Sequence, residues 1–276
     1  MSTSGRLTKV YRQAERICYD RNDRFVIMSD CHRGIGNPGD NFLKNRQIYL
    51  AALRYYNQKK FIYMELGDGD ELWENKRMEP ILRVHREVFE LLLEFHKDGR
   101  LHMLYGNHDI QKKHSGLLQG LSVREGIILE ENATGRKIFL VHGHQGDIPN
   151  DTLWRVNRFL VRHIWRRLEL LGMENPFSAS GCGKRKSKIE RRMSEWADHN
   201  RQIMIAGHTH RVRFPSEAES YYFNDGSCVH PFYITGIELE RGVLRLVRWS
   251  VMTREDFSMY IGREVLSKVE SERFDA

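Results

Sequence analysis

The sequence contains no apolar run approaching the roughly 18 residues that would argue a membrane span. Its opening stretch, MSTSGRLTKVYRQAERICYD, spreads charge throughout and lacks the apolar centre of a signal peptide, which predicts an amphipathic helix over 5–19 and a cytoplasmic protein. Cysteine is scarce. Cys18, Cys31, Cys182 and Cys228 lie far apart with no CxxC spacing, a pattern that excludes a zinc knuckle or a disulfide framework and leaves free thiols. Internal repeats are absent, and the short GKRKSK cluster is the one compositionally biased tract. No stacking-aromatic platform or recognisable nucleic-acid module accompanies the positive charge, so no specific nucleic-acid partner is expected.

What is present is ordinary in bulk and uneven in detail. A chain of 276 residues, 40% apolar and 29% charged, can bury the core of one large domain, with or without an inserted cap. The net charge of +7 suits anionic partners. It is concentrated between Arg155 and Arg192, where 11 Lys or Arg face three Glu, and the remainder of the chain is close to neutral.

Short apolar runs recur as FVIM (25–28), FIYMEL (61–66), LHMLY (101–105), IFLV (138–141) and IMIA (203–206), and predict buried strands. Between them, helical spacing over about 41–58 and 78–98 predicts helices, so strand and helix alternate in an α/β layered fold. Three further runs, YYFNDGS, FYITGIELE and GVLRLVRWSV, read as consecutive antiparallel strands of a second sheet, with turns at Asp225-Gly226 and Arg241-Gly242. The stretch 150–200 interrupts the alternation with two basic helical patterns around a Gly/Ser-rich break, which predicts a helical cap inserted into a single domain over 1–252, followed by a tail over 253–276.

Five of the strand candidates end in metal-ligand residue types: SDCH, GDGDE, GNHD, HGHQGD and GHTH. Ligands bind beyond the carboxyl ends of strands in open α/β sheets, so the five groups should converge. One such motif is weak, since GNHD alone is also a plausible turn with a capping Asn. Five in order, each at a strand end, have no ready structural explanation. Imidazole suits zinc and iron, while carboxylate and amide oxygen suit manganese or magnesium, so the mixture predicts divalent cations without naming one. Asp68 is the best placed carboxylate to bridge two ions.

The ordered set DxH, GDxxE, GNHD, HGH and GHTH over roughly 24–250 resembles the calcineurin-like metallophosphoesterase superfamily. The resemblance implies an α/β fold, a four-layer αββα sandwich of two mixed sheets, here with the helical cap inserted. It also implies two divalent metal ions, expected to be Mn2+ with Fe2+ or Zn2+ as alternatives. Asp30, His32, Asp68 and His210 would hold the first, and Asp68, Asn107, His142 and His208 the second. A hydroxide between the two ions would then attack a phosphate ester or pyrophosphate bond. His108 would stabilise the transferring phosphoryl group or protonate the leaving oxygen, with Asp109 orienting its ring, and Asp70 and Glu71 would be acceptors that orient ligands. Within the superfamily, GDGDELW, HGHQGD and the cap are similar to the UDP-2,3-diacylglucosamine hydrolase branch. That branch commonly has Arg where this chain has His108, so its pyrophosphate specificity is not carried over. Ser/Thr protein phosphatases match less well, because GDGDELW and GNHD replace their GDxVDRG and GNHE. A non-catalytic scaffold that merely binds a phosphate ligand would show a lost ligand, and none is lost.

Several residues have plainer readings. His144 and Asp147 are read as neighbours of the site, and Cys31 as a packed thiol. In the cap, Leu153, Val156, Phe159, Leu160, Ile164 and Leu168 form an apolar stripe that leaves Arg155, Arg158 and Arg162 on other faces. These arginines are candidates for contact with the phosphate of a phosphorylated small-molecule or lipid-linked substrate, and peripheral contact with an anionic membrane is the competing use of the same charge.

Overall fold

The computed structural model describes residues 2–114, 121–147, 183–215 and 220–274. In chain order the described elements are α1 (Thr3–Gln13), β1 (Glu15–Tyr19), β2 (Arg24–Met28), α2 (Arg46–Gln58), β3 (Ile62–Glu65), α3 (Glu79–Val84), α4 (Arg86–Lys97), β4 (Leu101–Leu104), β5 (Val123–Arg124), β6 (Gly126–Glu131), β7 (Lys137–Val141), α5 (Gly183–His199), β8 (Ile203–Ala206), β9 (Tyr222–Asn224), β10 (Tyr233–Glu240), β11 (Val243–Thr253) and β12 (Met259–Glu270). They build two mixed sheets, one ordered β1-β6-β7-β8-β9 and the other β12-β11-β10-β2-β3-β4-β5.

Strand alternation sorts side chains into three apolar layers. In β2, Phe25 and Ile27 turn towards the other sheet and, with Met64 and Leu244 of their own sheet, meet Leu129, Leu140 and Ile205. Val26 and Met28 point the opposite way, against Tyr49, Leu53 and Tyr56 of α2 and Val88, Leu92 and Phe95 of α4. Both faces of β2 are thus covered, which is why it reads as one unbroken apolar run. On the outside of the other sheet, Ile128, Phe139 and Met204 pack on Leu7 and Val10 of α1 and on Ile189, Met193 and Trp196 of α5. The order helix, sheet, sheet, helix is the expected four-layer sandwich.

Three local expectations need correction. The helix expected over 5–19 stops at Gln13, because Ala14 is extended (φ −64°, ψ 139°) and Glu15–Tyr19 pairs in parallel with β6. The tail expected over 253–276 instead contains β12, which pairs antiparallel with β11 along its length, with a bulge near Leu246 and Val247. The three late strand runs do not share one sheet. β9 pairs in parallel with β8, whereas β10 and β11 pair with each other and β10 with β2 in the opposite sheet. Asp225-Gly226 is therefore a crossing between sheets, while Arg241 and Gly242, at φ 52° and 75°, do form the expected tight hairpin turn. Of the expected cap over 150–200, residues 148–182 lie outside the described residues, and α5 is the part described.

The consequence for function is positional. β2, β3 and β4 run parallel in one sheet, β7 and β8 run parallel in the other, and the five motifs follow these strands.

Candidate metal centre

The loops after these strands are tied to one another before any side chain is considered. Asp30 N donates to Gly67 O at 3.1 Å, His32 N to Asp68 O at 2.8 Å, and Gly207 N to His142 O at 2.9 Å. Ten described non-glycine residues have positive φ, and five of them are Asp30 (53°), His32 (47°), Asp68 (49°), His208 (69°) and His210 (55°). Such backbone costs on the order of 1–3 kcal/mol per residue and persists only where the surroundings hold it. Half of the strained positions being expected ligands marks the place where the chain puts geometry ahead of comfort. Glycine is required beside them: a Cβ on Gly106 would stand 2.1 Å from Asp68 Oδ1, and one on Gly207 2.1 Å from Ser29 Oγ.

The side chains converge as three groups, one of them His32, Glu71 and His108 and the other two made of expected ligands alone. Asp30, His32 and His210 bring ligand atoms within 4.8 Å of one another, and Asp68, His142 and His208 do the same. Asp68 stands between them. Its Oδ1 accepts the His108 amide at 2.8 Å, while its Oδ2 lies 3.2 Å from His142 Nε2 and 3.8 Å from His32 Nε2. Asn107 is buried immediately before His108, and its backbone carbonyl accepts a hydrogen bond from Trp73 Nε1. Both amide atoms of Asn107 are buried without a hydrogen bond, and Asp30 Oδ1 and His142 Nε2 face other expected ligands, His210 Nε2 at 3.1 Å and Asp68 Oδ2 at 3.2 Å. Buried polar atoms are rarely left unbonded, and a set of carboxylate, imidazole and amide donors so arranged fits divalent cations.

Neighbouring groups fix which atom each ligand presents. His142 Nδ1 donates to the Leu66 carbonyl at 2.8 Å, which leaves Nε2 as the free ligand atom. His32 is oriented likewise, its Nδ1 lying 2.9 Å from Glu71 Oε2. Asp30 Oδ2 accepts from the Ser29 hydroxyl and, at 2.8 Å, from His208 N. Ser29 Oγ is in turn 2.8 Å from Asp225 Oδ1. Burial, and then the Asp30 charge, push the Asp225 carboxyl well above the usual range.

His108 is held by Glu71 as well, Nδ1 lying 2.8 Å from Oε2, and its ring stacks on Trp73 with centroids 4.2 Å apart and planes 18° from parallel. Glu71 is therefore the orienting carboxylate of both His32 and His108. The role expected for Asp109 is corrected: its carboxylate meets Lys112 and accepts from the backbone N–H groups of Gly106 (2.7 Å), Gly69 (3.0 Å) and Asp68 (3.2 Å). It clamps the two ligand loops together and does not orient the His108 ring. Asp70, also expected to orient ligands, pairs with Arg33 and Lys112. His144 is buried 5.5 Å, ring to ring, from His142 and joins none of the ligand groups among the described residues. Asp147 lies 3.6 Å from His208 Nε2, and both of its oxygens accept from Arg185 Nη2, at 2.9 and 2.8 Å. Arg155, Arg158 and Arg162 lie outside the described residues.

Charges in the centre support one another. Burial opposes ionisation of Asp68, but His142 and His108 outweigh it and hold the carboxylate well below its usual range. Burial likewise opposes protonation of His142, yet Asp68 raises its pKa to about 9. Glu71 follows the same logic: despite burial, His108 lowers it to about 2.

Sequence reasoning passed over a second set of buried charges beneath the loops. Arg33 forks onto Glu65 at 2.9 and 3.0 Å and reaches Asp70 at 2.7 Å, while Lys112 lies 2.6 Å from Asp70 and 2.8 Å from Asp109. Arg33 directly follows SDCH and Lys112 sits four residues after His108, so proximity to the motifs was the available signal.

Fold and site together define a metal-dependent phosphoesterase scaffold: two facing mixed sheets with candidate cation ligands gathered at the carboxyl ends of both. The chain belongs to the calcineurin-like phosphoesterase superfamily, whose domain model matches residues 24–236. No curated protein matches it. Crystal structures of Vps29 from Chaetomium thermophilum, one of them complexed with the cyclic peptide RT-D3, are similar at 10% identity with TM-scores of 0.43 and 0.42. They cover 91% and 90% of this chain and 98% and 97% of their own. No described helix is long and apolar enough to cross a membrane.

Proposed function

We propose that this protein hydrolyses a phosphate ester or pyrophosphate bond with two divalent cations, Mn2+ foremost, held by Asp30, His32, Asp68 and His210 and by Asp68, Asn107, His142 and His208. The observation that carries this reading is the convergence of two ligand groups on Asp68 Oδ2, beside an Asn107 amide that is buried without a hydrogen bond. Cations bound there would supply Lewis-acid activation of water and neutralisation of charge at phosphorus.

The chain's own residues supply the rest. Glu71 takes the Nδ1 proton of His108 in a hydrogen bond and favours the charged ring, so Nε2 can hold a proton for the leaving oxygen. Stacking on Trp73 fixes the plane in which that proton is offered. Ser29 and the His208 amide occupy Asp30 Oδ2 and leave Oδ1 for the cation. A phosphorylated small molecule or a lipid-linked phosphate is the proposed substrate.

The test strips the protein with a chelator and reloads it with Mn2+, Fe2+ or Zn2+. Hydrolysis of an aryl phosphomonoester, an aryl phosphodiester and a nucleotide diphosphate sugar is then compared. Loss on stripping and recovery with about two ions per chain are expected. Full activity in the stripped protein would end the proposal, and activity confined to the nucleotide diphosphate sugar would favour the narrower UDP-2,3-diacylglucosamine-type pyrophosphatase.

A further inference from the structure

Helix α5 is the described part of the basic stretch, and its first turns are fastened to two ligand loops. Arg185 Nη2 donates to both carboxylate oxygens of Asp147, which lies 3.6 Å from His208 Nε2. One position further along than Lys186, Ser187 Oγ accepts from Arg211 at 3.0 Å, and Glu190 accepts from Thr209 Oγ1 at 2.9 Å. Arg211 and Thr209 flank the ligand His210. Lys186 lies between two anchored residues, is half-buried, and makes no hydrogen bond or ion pair with a described residue. Burial lowers its pKa, and Asp30 is the main opposing influence.

A second unpartnered donor comes from the other sheet. The loop from Ser227 to Tyr233 is fixed beside Asp30 by Ser227 Oγ, which donates to Asp30 O at 3.2 Å, and by Asn45 Nδ2, which donates to the carbonyls of Cys228 (2.9 Å), His230 (2.6 Å) and Tyr233 (3.1 Å). His230 stacks on Tyr233 with planes 15° from parallel, and its Nε2 is buried without a hydrogen bond. Burial lowers its pKa, with Asp30 and Lys186 as the opposed charges that act on it. Two nitrogen donors from different layers, neither with a hydrogen-bond partner among the described residues, thus sit on segments tied to the loops of Asp30 and His210.

Resting on the hydrolase reading above, we infer that Lys186 and His230 form a recognition pair for the non-bridging oxygens of a terminal phosphoryl group, which makes the phosphomonoester the preferred substrate class. A terminal phosphoryl presents three acceptor oxygens and a charge of about −1.5 to −2 at neutral pH. A diester presents two such oxygens and a single charge, so it leaves part of the pair unused. A fixed ammonium and an imidazole N–H beyond the cation ligands match the first group better than the second.

The experiment uses the full chain loaded with Mn2+, with inorganic phosphate binding followed by calorimetry and aryl monoester and diester turnover measured in parallel. Lys186→Gln should weaken phosphate about tenfold, the worth of one charge-assisted hydrogen bond, and lower monoester kcat/KM by a similar factor. The diester should lose several-fold less, metal content should stay at two, and Lys186→Arg should restore the monoester preference. His230→Asn should shift the monoester-to-diester ratio in the same direction, which keeps the inference testable if one variant folds poorly. Unchanged phosphate affinity in metal-replete Lys186→Gln, equal losses on both esters, or a wild-type protein that binds no phosphate would overturn it. A wild-type protein that binds phosphate through Lys186 but hydrolyses neither ester would remove the proposed function and leave the recognition pair standing.

Discussion

Two clusters of buried charge grow from the same loops and are compensated in opposite ways. Beneath the loops, Glu65, Asp70 and Asp109 meet Arg33 and Lys112, all in side chains that are at most 4% exposed. Burial opposes charge on Arg33 and Lys112, but their carboxylates raise both pKa values, and Asp70 is lowered to about 2 despite its own burial. The pairs that Asp70 makes with Arg33 and Lys112 therefore persist through neutral pH. In the ligand cluster, Asp68 is balanced by imidazoles, above all His142, whose charge disappears as pH rises through about 9. One cluster is complete from within. The other keeps two carboxylates whose compensation is conditional, and under the proposed function a cation from outside would complete it. The contrast separates buried charges that are paired within the fold from those that the proposed cations would neutralise, something that burial alone does not reveal.

The largest expected effect lies in the permanent cluster. Arg33→Met would leave Glu65 and Asp70 short of a partner in the interior and should destabilise the protein by about 3–5 kcal/mol, a large part of a usual total. Denaturant unfolding measures this, and an unchanged midpoint would mean that Lys112 alone suffices.

Asp68→Asn should do the reverse. The fold should survive, because a buried charge is removed, while cation content falls and hydrolysis drops about a thousandfold, or several kcal/mol of barrier. Retained cation stoichiometry in this variant would make the two groups independent of Asp68.

A smaller, graded effect separates the clusters by pH. His142 has a raised pKa, so in the cation-free protein its stabilising contribution is present below the usual histidine value and is lost as pH rises through about 9. Cations must displace that proton, so Mn2+ affinity should climb with pH towards 9, about tenfold per unit for each proton released. A flat profile would show that the ring is already neutral.

Much of this centre was readable in advance because its information is local. A β strand announces itself by an apolar run, and the ligand follows within a few residues, as Asp30 follows FVIM and Asp68 follows FIYMEL. Where partners are distant in sequence, local reading went astray. Asp109 sits next to His108 and was expected to orient it, yet the partner is Glu71, 37 residues away. Glu15–Tyr19 carries a helix-compatible pattern, but the free edge of β6 recruits it as a strand. β12 was invisible because an edge strand with only Gly262 and Val269 buried has little apolar periodicity to show.

The sequence by itself determined which residues could bind cations, their order along the chain, and that each would stand at the end of a strand. Only the tertiary structure decided that three of the five motifs belong to one sheet and two to the other. Sheet membership depends on pairing between distant segments and on the packing of Phe25, Ile27, Leu140 and Ile205 between the sheets, and that packing brings Asp30 and His32 to His208 and His210. Convergence is thus a property of two sheets meeting, and no spacing within a single strand could have encoded it.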